Sequence, residues 1–310
     1  MTTKTAGTVD PIVQSLRRLS QESPYLKDAA LLYEAILPLL RDAHIPVEPV
    51  SLTRDQAFPK MEAGLPLLHN LNLELDIQSV HDLMLQLALA VETFGEKKQQ
   101  SYRREMPRWC SDKPCAANAG QVRLALQENK LNISELLPSM AAGERNLVTS
   151  AAQGLGLDGD LLWTVMQNAL KPALRVWCRQ LTPFTEGIPW YKGYCFICGA
   201  DAALGELRGN TQSKYLRCGQ CGADWSFRRL QCTYCGNENH ATLGYLYPEN
   251  QKEKLRVEVC EKCKGYLKVI TTFSPTPSEM LPVEDLATLH LDYIAREMGY
   301  VRLAVQRAPI

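Results

Sequence analysis

Apolar positions recur at helical spacing through the first 182 residues and then lose that spacing. Asp10-Pro11 reads as an N-cap with proline at the first helical position, followed by Ile12, Val13, Leu16 and Leu19. The run "YLKDAALLYEAILPLLR" predicts a second helix from Tyr25 to Arg41, kinked or ended early by Pro38. "SVHDLMLQLALAVETFG" predicts a helix that starts with Ser79 as its cap and stops at Gly95. It is apolar nearly all round, the mark of a central buried helix. "DLLWTVMQNALKPALRVW" places Leu162, Val165, Met166, Ala169, Leu170 and Ala173 on one stripe, with a bend at Pro172. Strand-like alternation is scarce, so this half reads as all-α.

The pattern changes at "LTPFTEGIPWYKGYCFICG", where Pro183, Gly187, Pro189 and Gly193 make a linker. Beyond it the segments are short and turn-rich. "ALGELR" and "SKYLR" flank the turn "GNTQ", and "ATLGYLY" and "LRVEV" flank "PENQKEK", which predicts two hairpins. After Lys268 a loop, "SPTPSEMLP", leads to a final helix, "VEDLATLHLDYIAREMGY". Leu286, Leu289, Tyr293 and Ile294 share one of its faces, and Gly299 is its stop. The expected fold class is α+β: an all-α domain over 1–182, then two tandem zinc-ribbon or rubredoxin-like hairpin modules. These cover 183–228 and 229–310, the second including the C-terminal helix.

Cysteine usage sharpens the second half. Eight of the eleven cysteines form four CxxC pairs between 195 and 263. A hairpin returns its ends to one place, so Cys195, Cys198, Cys218 and Cys221 should meet as one site, and Cys232, Cys235, Cys260 and Cys263 as a second. The spacing also allows a nested pairing, Cys218/Cys221 with Cys232/Cys235 and the outer pairs with each other. Gly199, Gly222 and Gly236 follow the second cysteine of three knuckles, where the chain turns tightly round a sulfur; the fourth has Lys264-Gly265, an offset of one residue. Four thiolates make a closed tetrahedral site for one Zn²⁺ or one iron, with no open position for water or substrate. An iron–sulfur cluster asks for other spacings. Spacing does not separate iron from zinc. Dithiol exchange or inert buried thiols is the alternative for these pairs.

Charge removes other classes. Lys and Arg number 34 against 34 Asp and Glu, and residues 185–275 hold twelve basic against nine acidic side chains, too small an excess for a phosphate-binding surface. Arg228 and Arg229 beside Trp225 and Phe227 therefore suggest packing or a protein contact rather than nucleic acid. The N-terminus lacks the apolar core of a secretory signal, and "LMLQLALAV" at 83–91 is too short to span a bilayer, so a cytoplasmic protein with no membrane partner is expected. "GLGLDG" at 154–159 lies between helical stretches rather than after a strand, so it reads as a helix–helix turn capped by Asp158 or Asp160. Cys110, Cys115 and Cys178 read as ordinary thiols and His240 as a strand residue near the third knuckle. Asp285 and Asp292, one heptad apart, read as a solvated face or caps. No catalytic constellation stands out, and the chain does not read as an enzyme.

The knuckles "CFICG", "CGQCGADW", "CTYCG" and "CEKCKGYLK", followed by "VEDLATLHLDYIAREMGYVR", resemble the formate dehydrogenase accessory protein family (FdhE) over 190–302. Phe196 stands where that family commonly has proline. The resemblance implies a cytoplasmic maturation factor, not an enzyme, that contacts the catalytic subunit of respiratory formate dehydrogenase. It also implies two mononuclear tetrathiolate metal ions, with iron favoured over zinc, held by the eight cysteines of the four pairs. The competing readings are a rubredoxin-type electron carrier, a ribbon-type nucleic-acid-binding module and a metal-free thiol oxidoreductase.

Overall fold

The computed structural model describes residues 10–101, 115–142, 145–248 and 252–303. Among these residues eight α-helices come first: α1 (Pro11–Glu22), α2 (Lys27–Asp42), α3 (Arg54–Glu62), α4 (Ile77–Ser101), α5 (Cys115–Gln127), α6 (Ile133–Ala142), α7 (Arg145–Gly154) and α8 (Gly159–Leu181). The cap expected at Asp10 forms, its carboxylate accepting from Ile12 N at 3.0 Å. Asp158 likewise caps α8 by accepting from the backbone N–H groups of Asp160 and Leu161, so "GLGLDG" is a helix–helix turn. Pro38 and Pro172 interrupt neither helix. Each forfeits one backbone hydrogen bond, but the buried faces of α2 and α8 outweigh that loss.

The fourth helix departs from expectation at both ends. Asp76 rather than Ser79 caps it, accepting from Ser79 N at 3.0 Å. It runs through Gly95, where a Cβ would lie 2.7 Å from the Cβ of Ala116. That glycine permits close approach of α5 instead of stopping a helix. Burial follows a single stripe, Val80, Leu83, Met84, Leu87, Ala88 and Val91, while Leu89 is 50% exposed. The helix is therefore central, packed on α2, α5 and α8, yet amphipathic.

Strands β1 (Ala202–Arg208), β2 (Ser213–Cys218), β3 (Asp224–Ser226), β4 (Leu243–Leu246), β5 (Leu255–Cys260) and β6 (Tyr266–Thr272) form one sheet in the order β3-β2-β1-β6-β5-β4. Both predicted hairpins appear, as β1–β2 and β4–β5. β6 continues past Lys268, where a loop was expected, because it lies between them. It pairs antiparallel with β5 and parallel with β1, with Gly205 opposite Val269. The modules are thus fused edge to edge into one sheet.

The final helical segment is two helices, α9 (Leu281–Ala287) and α10 (Leu289–Glu297), broken at Thr288, with Gly299 (φ 84°) ending the second. The break changes which side is buried. Leu286, Leu291, Asp292 and Ala295 face inward, whereas Tyr293 is 58% exposed. Beyond α10 the chain returns to the fourth knuckle, where Val301 N donates to Lys264 O at 2.8 Å. One apolar core runs from α1 through α8 into the first module and on to α9. A smaller one joins Val257, Val259 and Tyr266 to Leu291, Ala295 and Tyr300.

Candidate metal centre

Each knuckle is a tight turn closed from the residue after its second cysteine to its first. Gly199 N donates to Cys195 O (2.9 Å), Gly222 N to Cys218 O (3.2 Å), Gly236 N to Cys232 O (3.1 Å) and Lys264 N to Cys260 O (2.8 Å). The closing residue is left-handed in all four, with φ of 76°, 81°, 68° and 57°. The fourth knuckle therefore has no offset: Lys264 takes the glycine's position at a steric cost. Gly265 serves another need, since a Cβ there would lie 2.8 Å from the ring of Tyr234.

These turns gather eight sulfurs into two groups in the tandem order, not the nested one. The four Sγ atoms of Cys195, Cys198, Cys218 and Cys221 all lie within 4.8 Å of one another, as do those of Cys232, Cys235, Cys260 and Cys263. Cys195–Cys221 and Cys198–Cys218 stand 3.5 Å apart, Cys232–Cys263 3.7 Å and Cys235–Cys260 3.8 Å. A tetrahedron of sulfurs about 2.3 Å from a central ion has an edge of roughly 3.8 Å, so both groups fit one mononuclear ion. Backbone N–H groups point at the sulfurs: Ile197 N at Cys195, Gln220 N and Cys221 N at Cys218, and Gly265 N at Cys263, each 3.4 Å away. Asn237 adds its side-chain amide to Cys260 Sγ at 3.5 Å. Such donors stabilise thiolate over thiol.

The two sites differ in surroundings. The first lies against the helical body: Leu67 N and Leu68 N donate to Phe196 O (2.7 Å) and Ile197 O (3.0 Å) of the first knuckle. Tyr194 reaches back to Gly64 O at 2.7 Å. Burial raises the Cys195 thiol, the neighbouring thiols raise Cys221, and Cys218 is held well below the usual thiol range by hydrogen bonds from the other three. Four closely packed sulfurs here need a cation to ionise together. The second site lies nearer the surface, with Cys235 and Cys263 half-buried.

Three residues of α8 complete the first site's surroundings. Lys171, Arg175 and Cys178 follow one another at i, i+4 and i+7, on one helical face. The Cys178 thiol is lowered by a hydrogen bond with Cys221 and lies 3.8 Å from Thr182 Oγ1. Burial and then Arg175 push Lys171 down to about 8, against an opposing pull from Cys218. A divalent ion with four thiolates carries two negative charges, and Lys171 and Arg175 lie close enough to offset part of that field. The spacing was present in the sequence, but nothing there indicates that this face meets the ribbon.

Cys110 lies outside the described residues, and the Cys115 side chain does as well. His240 is exposed in a short 3-10 turn, His240–Thr242, and takes no part in the second site. Trp225 and Phe227 are buried, while Arg228 pairs with Glu238 at 2.7 Å and lies over the ring of Tyr191, 5.1 Å from its centroid, so neither Trp225 nor Phe227 offers an exposed ring beside the two arginines. Asp292 is buried and Asp285 part-exposed, and both meet Lys268 Nζ, at 2.7 and 2.8 Å. Among the described residues no helix is long and apolar enough to cross a membrane.

Residues 230–307 match the family model described as FdhE, C-terminal domain. Curated FdhE homologues are similar in sequence: that of Pseudomonas aeruginosa is 33% identical over 155 residues, covering 46% of this chain and 49% of its own. The Stutzerimonas stutzeri homologue is 35% identical over 113 residues, 36% of each chain. The Aquifex aeolicus homologue is 26% identical over 151 residues, 48% of this chain and 52% of its own. The chain thus spans about half the length, or less, of the curated relatives it matches. The crystal structure of the FdhE protein from Pseudomonas aeruginosa shares the fold, with a TM-score of 0.57 at 24% identity over 94% of this chain and 92% of that one. The likeness to FdhE that the four knuckles imply thus holds in sequence over the matched stretches and in fold, and residues 230–307 match the FdhE C-terminal domain.

Proposed function

We propose that this chain is an accessory factor for formate dehydrogenase that binds the enzyme's catalytic subunit in the cytoplasm and supports its assembly or activation. The observation that carries this reading is the pair of closed tetrathiol groups, fused through one sheet to a helical body, in a chain with the FdhE C-terminal domain. Cys195, Cys198, Cys218 and Cys221 hold one metal ion and Cys232, Cys235, Cys260 and Cys263 the other, iron being favoured and zinc the alternative. A site with four protein ligands offers a substrate no open position, so its chemistry is structural or one-electron. The chain's own residues shape both roles: the knuckle amides orient the thiolates, Lys171 and Arg175 offset charge at the first site, and the sheet fixes the spacing between sites. The partial exposure of Cys235 and Cys263 favours a second reading, a rubredoxin-type electron carrier.

The test is complementation in the source organism with the chain deleted, alongside metal analysis of anaerobically purified protein. Wild type should carry two metal ions and restore formate dehydrogenase activity. Cys198→Ser and Cys235→Ser should each carry one ion and restore little activity, because a small hairpin of this kind owes much of its folding free energy to its metal. Full complementation by variants lacking both ions would overturn the metal's part in the function. Normal formate dehydrogenase activity in the deleted strain would overturn the accessory role itself.

A further inference from the structure

Between α2, α8 and the loop before α9 lies a cleft of about 290 Å³ whose lining includes none of the eight paired cysteines. Its walls have two characters. Leu40 and Ile45, 2% and 1% exposed, with Pro172 and Val176, give an apolar floor. Arg41, Arg175 and Arg179 line it against one carboxylate, Glu279. Arg41 is already engaged by Asp10 and Asp42. The other two guanidiniums make no ion pair among the described residues. Among the described residues Arg175 is held only by a long contact to Leu40 O, 3.5 Å, and its buried Nε has no partner. It donates no hydrogen bond to a sulfur of the first metal site. Burial lowers Arg175, opposed most by Glu279 and reinforced by the smaller effect of Arg179. Two guanidiniums side by side, one with a buried donor unsatisfied, form an arrangement that an anion would relieve.

We propose that this cleft binds a small organic phosphate, its phosphate on Arg175 and Arg179 and its apolar body on Leu40, Ile45, Pro172 and Val176. A phosphate monoester carries nearly two negative charges near neutral pH and matches two guanidinium forks. The volume exceeds what a bare phosphate needs and approaches that of small-ligand pockets, which combine an apolar lining with a few convergent polar groups. Ser278 and Glu279 belong to the second module and the remaining lining to the helical domain, so a bound phosphate would tie the two together.

The test is calorimetric titration of the full-length, metal-loaded protein at fixed ionic strength with inorganic phosphate, phenyl phosphate and phenol. Phenyl phosphate should bind more tightly than inorganic phosphate, and phenol should not bind. Arg179→Gln, at an exposed position that threatens no core, should weaken phenyl phosphate binding at least tenfold with metal content unchanged. Arg175→Gln should also weaken phenyl phosphate binding, whereas Glu279→Gln should tighten it. Overturning results are the absence of phosphate binding by wild type, or equal affinity in wild type, Arg179→Gln and Glu279→Gln. The accessory role is untouched by either outcome, since its readout is formate dehydrogenase activity.

Discussion

Lys268, 2% exposed, donates to Asp292 Oδ2 at 2.7 Å and to Asp285 O at 2.8 Å, while Tyr266 donates its hydroxyl to Asp292 Oδ1 at 2.7 Å. Lys268→Met would leave the buried Asp292 carboxylate uncompensated, so we expect a loss of roughly 3–5 kcal/mol in denaturant unfolding. An unchanged midpoint would show that the pair contributes nothing. Tyr266 adds a pH dependence: burial, then its bond to Asp292, raises its hydroxyl to about 12, above the ordinary value of about 10. Because the folded value is raised, this stabilisation is complete below about pH 10 and is lost as pH rises through about 12. Tyr266→Phe should flatten that alkaline decline, and identical pH–stability curves for variant and wild type would contradict it. The residue scale also shows what a sequence discloses. The cysteines were legible because a CxxC unit folds round a metal within a few residues. The burial of Asp292 and its pairing with Lys268 were not legible because that partner lies across the fold, on β6.

At the scale of elements, both hairpins could be read from turn chemistry between alternating strands, and the early helices from capping and periodicity. The β1–β6 pairing could not, since a parallel contact between strands some sixty positions apart leaves no local pattern. Nor could the break at Thr288, beyond which Asp292 turns inward to reach Lys268. One contact between the modules is unusually close: a Cβ on Gly193 would lie 1.8 Å from Thr233 O. Linker and third knuckle thus meet backbone to backbone, with no flexible side chain to yield. Gly193→Ala should cost about 3 kcal/mol or more, at or beyond the upper range for overpacking, and lower the melting temperature. A variant that melts with wild type would mean that the two segments move apart freely.

For the molecule as a whole, the helices do more than accompany the ribbons. Gly64, Leu67 and Leu68 grip the first knuckle, and α8 brings Lys171, Arg175 and Cys178 towards its sulfurs. The first site is thereby embedded and the second left nearer the surface, an asymmetry that the near-equal cysteine spacings hide. The central claim, that this assembly serves formate dehydrogenase, is tested most directly by oxygen-free affinity purification of the chain from its source organism under conditions where formate dehydrogenase is expressed. Bound proteins are then identified with and without nuclease treatment. The account predicts recovery of the formate dehydrogenase catalytic subunit in equal amount in both. Its absence, with nucleic acid or a reductase recovered instead, would contradict the account.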